Sequence, residues 1–189
     1  SFAISRWLIT ASAGAGGSVS PSGTTGVAEN GSVSYSITPA TGFAIAGVLV
    51  DGSSVGAVSA YSFNNVTANH TLTVSFADIA PPVVALGSPT GGEQWNISTL
   101  HAVTWTATDN AGVDSINVDW SAHGFAGPWT AVAHRLANSG SYGWTLPAAP
   151  TDSALVRVTA FDHTGNSASA ASGSEFTIVD PNLGVGDSG

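Results

Sequence analysis

A chain of 189 residues has room for one or two small domains, and with 3 Lys plus Arg against 12 Asp plus Glu it carries a formal charge of -9. No basic stripe exists to displace counterions from a phosphate backbone, which excludes nucleic acid as a partner and disfavours anionic membranes. Apolar residues make up 43% of the chain, but Gly, Ser, Thr or Asn interrupt them every few positions. No run approaches the roughly 18 residues that membrane insertion by a helix requires.

Low charge and many hydroxyl residues could signal disorder, yet disordered chains are poor in aromatic and β-branched groups, and this one holds 6 Trp and 7 Phe. Strand and turn formers dominate over helix formers, so the composition predicts an all-β protein. The chain has no cysteine, which rules out a disulfide framework and thiol chemistry and inclines the reading toward a prokaryotic surface protein. No leader segment opens at Ser1, so an exported protein is expected to be already processed or part of a longer chain.

In chain order, Arg6 to Ser12 reads as a strand that enters a Gly-rich loop over Ala13 to Gly17. Ser32 to Ile37 alternates strictly, with Val33, Tyr35 and Ile37 on one face, and Phe43 to Val50 resumes an apolar strand after a turn. Asp51-Gly52 is a two-residue hairpin signal, because both residues tolerate positive φ. Tyr61 to Val66 and His70 to Phe76 follow, the latter with Leu72, Val74 and Phe76 inward. The segment 1–79 is thus predicted as one small β-module of roughly five or six strands.

Residues 80–82 form a Pro-rich linker, since two prolines remove ladder donors and stiffen the chain. Over 83–180 a second series of about seven strands is predicted at Val83–Leu86, Ala102–Ala107, Ser115–Ser121, Trp129–His134, Tyr142–Leu146, Ala154–Phe161 and Glu175–Val179. That spacing suits an immunoglobulin-like β-sandwich with Trp105, Trp120 and Trp144 in its core. Residues 181–189 are expected to be a tail or docking segment. The fold class expected is therefore two tandem small β-modules, the second an immunoglobulin-like sandwich.

Two resemblances accompany this reading. The opening ITASAGAGGSVSPSG, the central ITPATGFAIAGVLVDGSSVGAV and the closing YSFNNVTANHTLTVSFA make residues 6–78 similar to bacterial repeat domains of the divergent internalin-type B-repeat family. The motifs SPTGGEQW, AVTWTATDNAGVDSINVDWS, GPWTAV, NSGSYGWTLP and ALVRVTAFDHTGNSA make 83–180 resemble bacterial immunoglobulin-like and fibronectin type III-like modules of extracellular proteins. The resemblance implies spacer or adhesive units in long exported chains, sometimes beside hydrolase domains. Many such relatives carry an Asp-Gly-Gly turn where this chain reads Ser121 to Trp129, a departure that weakens any calcium or sugar role borrowed from them.

Several motifs invite chemistry. Gly52-Ser53-Ser54-Val55-Gly56 fits the nucleophile-elbow pattern, but that elbow needs a following helix, and a hairpin is predicted instead. Gly184 to Gly189 fits a dinucleotide fingerprint without the required strand and helix. Asp109, Asn110 and Asp114 in one strand-end turn, and Asp162 in another, offer oxygen ligands of the kind calcium takes. Each turn supplies fewer than the roughly six to eight oxygens calcium wants, so turn capping through Asx hydrogen bonds is the favoured role. No cofactor is expected. The 5 histidines lack the spacing of zinc ligands, and the three glutamates Glu29, Glu93 and Glu175 are scattered. Sequons begin at Asn30, Asn65, Asn69 and Asn96, as chance allows in so Ser/Thr-rich a chain. Trp95, Phe125 and Trp129 are the aromatic candidates for stacking on sugar rings.

The function expected is a non-catalytic structural or adhesive protein outside the cell, a β-domain spacer or filament subunit. It would partner with copies of itself or with neighbouring domains, with Ser1 to Ser5 or Asn182 to Gly189 docking as an added strand. The alternative is a carbohydrate-binding accessory region of a secreted hydrolase, with a polysaccharide as partner.

Overall fold

A computed structural model describes residues 6–182 of the chain, and its contacts divide the protein into two compact units, Ser1–Ala80 and Pro81–Gly189. Among the described residues the fold is all-β, and no helix is long and apolar enough to cross a membrane.

The first unit contains β1 (Arg6–Ala13), β2 (Gly17–Ser20), β3 (Gly23–Ala28), β4 (Gly31–Pro39), β5 (Phe43–Val50), β6 (Ser53–Gly56), β7 (Ala60–Val66) and β8 (His70–Asp78). They form a five-stranded sheet in the order β3-β1-β8-β5-β6 and a three-stranded sheet in the order β2-β4-β7. Period-two alternation sets the faces. Ile9, Ala11, Val48, Leu72 and Val74 of the larger sheet share one core with Val19, Tyr35, Ile37 and Phe63 of the smaller. In the centre of the larger sheet the first strand runs parallel to the last, with Ile9 opposite His70 and Ala13 opposite Val74.

The hairpin expected at Asp51-Gly52 joins β5 to β6, with φ of 50° and 80° at its two residues. The Gly-rich run read as a loop is shorter than expected, because Gly17 already belongs to β2. Its missing side chain has a packing cause: a Cβ there would collide with the Phe76 ring.

The second unit is an immunoglobulin-like sandwich. It contains β9 (Val83–Ser88), β10 (Gln94–Asn96), β11 (Leu100–Thr108), β12 (Val113–Ser121), a single 3-10 turn at Gly124–Ala126, β13 (Thr130–Leu136), β14 (Ser141–Thr145), β15 (Thr151–Asp162), β16 (Ser167–Ala171) and β17 (Phe176–Val179). A six-stranded sheet, β10-β17-β15-β12-β13 with β16 beside β15, faces the three-stranded β14-β11-β9. Val103, Trp105 and Trp144 meet Ile116, Val118, Val156, Val158 and Ala160 in the core, with Trp120 packed against them. Strands β2, β3, β6, β10 and β16 go beyond the elements the sequence predicts.

Candidate functional site

Because Ile116 and Val118 of β12 and Val156, Val158 and Ala160 of β15 turn inward, the alternate residues form the outer face of the larger sheet. Three cross-strand pairs line it: Ser115 with Phe161, Asn117 with Thr159, and Asp119 with Arg157. Asp119, only 8% exposed, binds Arg157 Nη2 through Oδ2 at 3.1 Å and His134 Nε2 through Oδ1 at 2.8 Å. The Arg157 guanidinium lies over the Trp129 ring, 4.4 Å from its centroid, a cation–π geometry.

Toward the β15–β16 turn the same face opens into a groove of ≈ 830 Å³, bounded by Asp114, Ser115, Asn117, Arg135, Phe161 and His163 among others. Arg135 adopts φ of 56° and follows a register shift between β12 and β13. Its N–H donates to Asn117 Oδ1 at 2.9 Å. His163 Nδ1 stands 3.1 Å from Asp114 Oδ1 across the groove rim.

The carboxylates expected as oxygen ligands divide between these environments. Asp109 Oδ1 accepts the Ala111 N–H at 2.8 Å, an Asx turn, while its Oδ2 is buried without a hydrogen-bond donor. Asp162 accepts N–H bonds from Thr164 and Asn166, the Thr164 hydroxyl and the Asn166 amide, which close the β15–β16 turn. Burial opposes its charge, but the bonds from Asn166 and Thr164 outweigh it and hold its pKa below the ordinary 3.8. Carboxylate oxygens of Asp109 and Asp162 come within 4.8 Å of each other, so one residue from each predicted loop meets the other. Asp114 turns to His163 instead, and Asn110 is exposed. The hydrogen bonds of Asp109 and Asp162 close their own turns, the Asx role expected of them.

The aromatic candidates also separate. Trp95 stacks on His101 at 4.2 Å and leans on core Phe176, whereas Phe125 is 63% exposed on the 3-10 turn and Trp129 carries Arg157. In the first unit Ser54 lies in β6 rather than before a helix, and its Oγ accepts the Gly56 N–H at 3.3 Å. That strand removes the geometry a nucleophile elbow requires. His70 Nδ1 sits 2.6 Å from Asp51 Oδ2, next to the hairpin it pins. The fingerprint-like Gly184 to Gly189 lies outside the described residues, as do Ser1 to Ser5 and all but Asn182 of the expected docking tail.

No family model and no curated protein matches the chain. Among solved structures it is similar to the fibronectin(III)-like modules of Clostridium thermocellum CbhA, at 10% identity over 94% of each chain with a TM-score of 0.42. It is also similar to the tandem Ig repeats of Dlar, at 11% identity over 94% of this chain and 96% of that one with a TM-score of 0.29.

Proposed function

We propose that this chain is a pair of non-catalytic β-modules in an extracellular surface protein, where they space or join other parts. The parallel pairing of β1 with β8 carries the reading. Two parallel strands begin at the same pole, so the chain enters the first unit at one end and leaves at the other. From the register, Arg6 and Asp78 stand about 11 strand positions apart, or about 36 Å at ~3.3 Å per residue. Such a unit lengthens any chain in which it is placed. The small share of charged residues, 8% of the chain, and the many Ser and Thr support an exterior setting.

The cysteine-free sequence allows a direct test of the spacing. Fluorophores on cysteines introduced as Arg6→Cys and Ala80→Cys are expected to report a separation near the calculated span; a separation about half of that would remove the argument. Antibody against the chain is expected to label intact cells of the source organism. Labelling that needs lysis would place the protein inside and sink the extracellular reading.

A further inference from the structure

The outer face of the second unit points to a further role, independent of spacing. We propose that it binds a neutral oligosaccharide, with one hexopyranose ring held in the groove by Phe161, Asn117 and Arg135. A pyranose offers an apolar C–H face and a rim of hydroxyl groups, and ligand pockets combine an apolar floor with a few fixed polar groups in volumes of roughly 300–1,000 Å³. The groove, at ≈ 830 Å³, has that size, and its lining is a single phenyl ring, Phe161, set among polar side chains that can meet hydroxyl groups.

Phe161 is half-buried beside Ser115 and supplies a flat ring. Asn117 spends its Oδ1 on the Arg135 N–H, which orients its Nδ2 donors. Among the described residues neither those donors nor the Arg135 guanidinium has a partner. The Arg135 backbone takes αL geometry at a register shift between β12 and β13, beside Asn117. The charges nearby select against ionic ligands. Arg135 shares the groove with the exposed Asp114 and with His163, so a polyanion would meet the Asp114 carboxylate, whereas a sugar hydroxyl can donate to that carboxylate and another can accept from the guanidinium. Along β15, Arg157 and Trp129 continue the face four residues from Phe161, roughly 13 Å by strand rise, a length that suits several linked rings.

The test is an NMR titration of the isotope-labelled full chain with cellohexaose, mannohexaose and chitohexaose, with hexagalacturonate as the anionic control. At least one neutral hexaose is expected to shift the Phe161, Asn117 and Arg135 signals saturably. Arg135→Asn, which keeps a residue tolerant of positive φ, is expected to weaken that binding roughly tenfold without altering the remaining spectrum. Three outcomes overturn the proposal: no shift by any neutral hexaose at about 10 mM, enough to saturate a millimolar site; binding of hexagalacturonate alone; or undiminished affinity in a folded Arg135→Asn chain.

Discussion

Arg157 is held from two directions, its Nη2 on the Asp119 carboxylate at 3.1 Å and its guanidinium carbon over Trp129 at 4.4 Å from the ring centroid. The Arg157 Nε is buried with no acceptor, so Asp119 provides the charge compensation. Asp119→Ala is expected to destabilise the second unit by about 1–2 kcal/mol, less than a fully buried pair because His134 and Arg157 remain partly solvated. Urea unfolding would check this against Asp152→Ala, an exposed control expected within about 0.5 kcal/mol of the parent.

In the first unit, Tyr35 is 1% exposed and packs edge-on against Phe63. Its hydroxyl finds no hydrogen-bond partner, and a buried donor left unmade costs about 1–3 kcal/mol. Tyr35→Phe keeps the ring and removes that cost, so it is expected to raise stability by about 1 kcal/mol. A loss of stability in the melting curve would contradict the burial argument.

Gly17 gives the opposite sign. Its φ needs no glycine, but the space a Cβ would take is filled by Phe76. Gly17→Ala is expected to cost about 1–3 kcal/mol through displacement of that ring. The double change Gly17→Ala with Phe76→Leu should recover part of the loss in a denaturation series, whereas strict additivity of the two changes would exclude this contact as the cause.

Acid should weaken both units. The Asp51 carboxyl is held below 3.8 chiefly by the His70 side chain and then by the Thr71 N–H. Glu93 is held below 4.5: burial opposes this, but N–H bonds from Thr90 and Gly91 and the Thr90 hydroxyl prevail. With Asp162, all three groups bind protons more weakly when folded. Their contribution is therefore complete above the unfolded values and disappears as pH falls through the lower folded ones. The thermal midpoint is expected to drop below about pH 4, and Asp162→Asn to flatten that limb while lowering the neutral plateau. A limb equally steep in the variant would remove Asp162 from the account.

Strong alternation made the long strands legible. SVSYSI and HTLTVSF announced β4 and β8 through Tyr35, Ile37, Leu72 and Val74, and all four are buried. Strands β2 and β3 were not, because each buries only one apolar side chain, Val19 and Val27, among Gly, Ser and Thr. The small residues of β16, Ser167 to Ala171, look like a loop by composition and pair with β15 nonetheless. The two aspartate-bearing turns could be located from the sequence. The Asp119–Arg157 pair spans 38 positions and could not, although polar Ser115, Asn117 and Asp119 alternating with Ile116, Val118 and Trp120 marked an outward face.

The parallel register of β1 and β8 has a mechanical corollary. Tension applied at the two ends of the first unit pulls these neighbours past one another, so the hydrogen bonds from Ile9–His70 to Ala13–Val74 bear load together instead of opening in turn. Resistance to stretching then depends on direction: the same module drawn from the Asp51-Gly52 turn would peel its edge strand away one rung at a time.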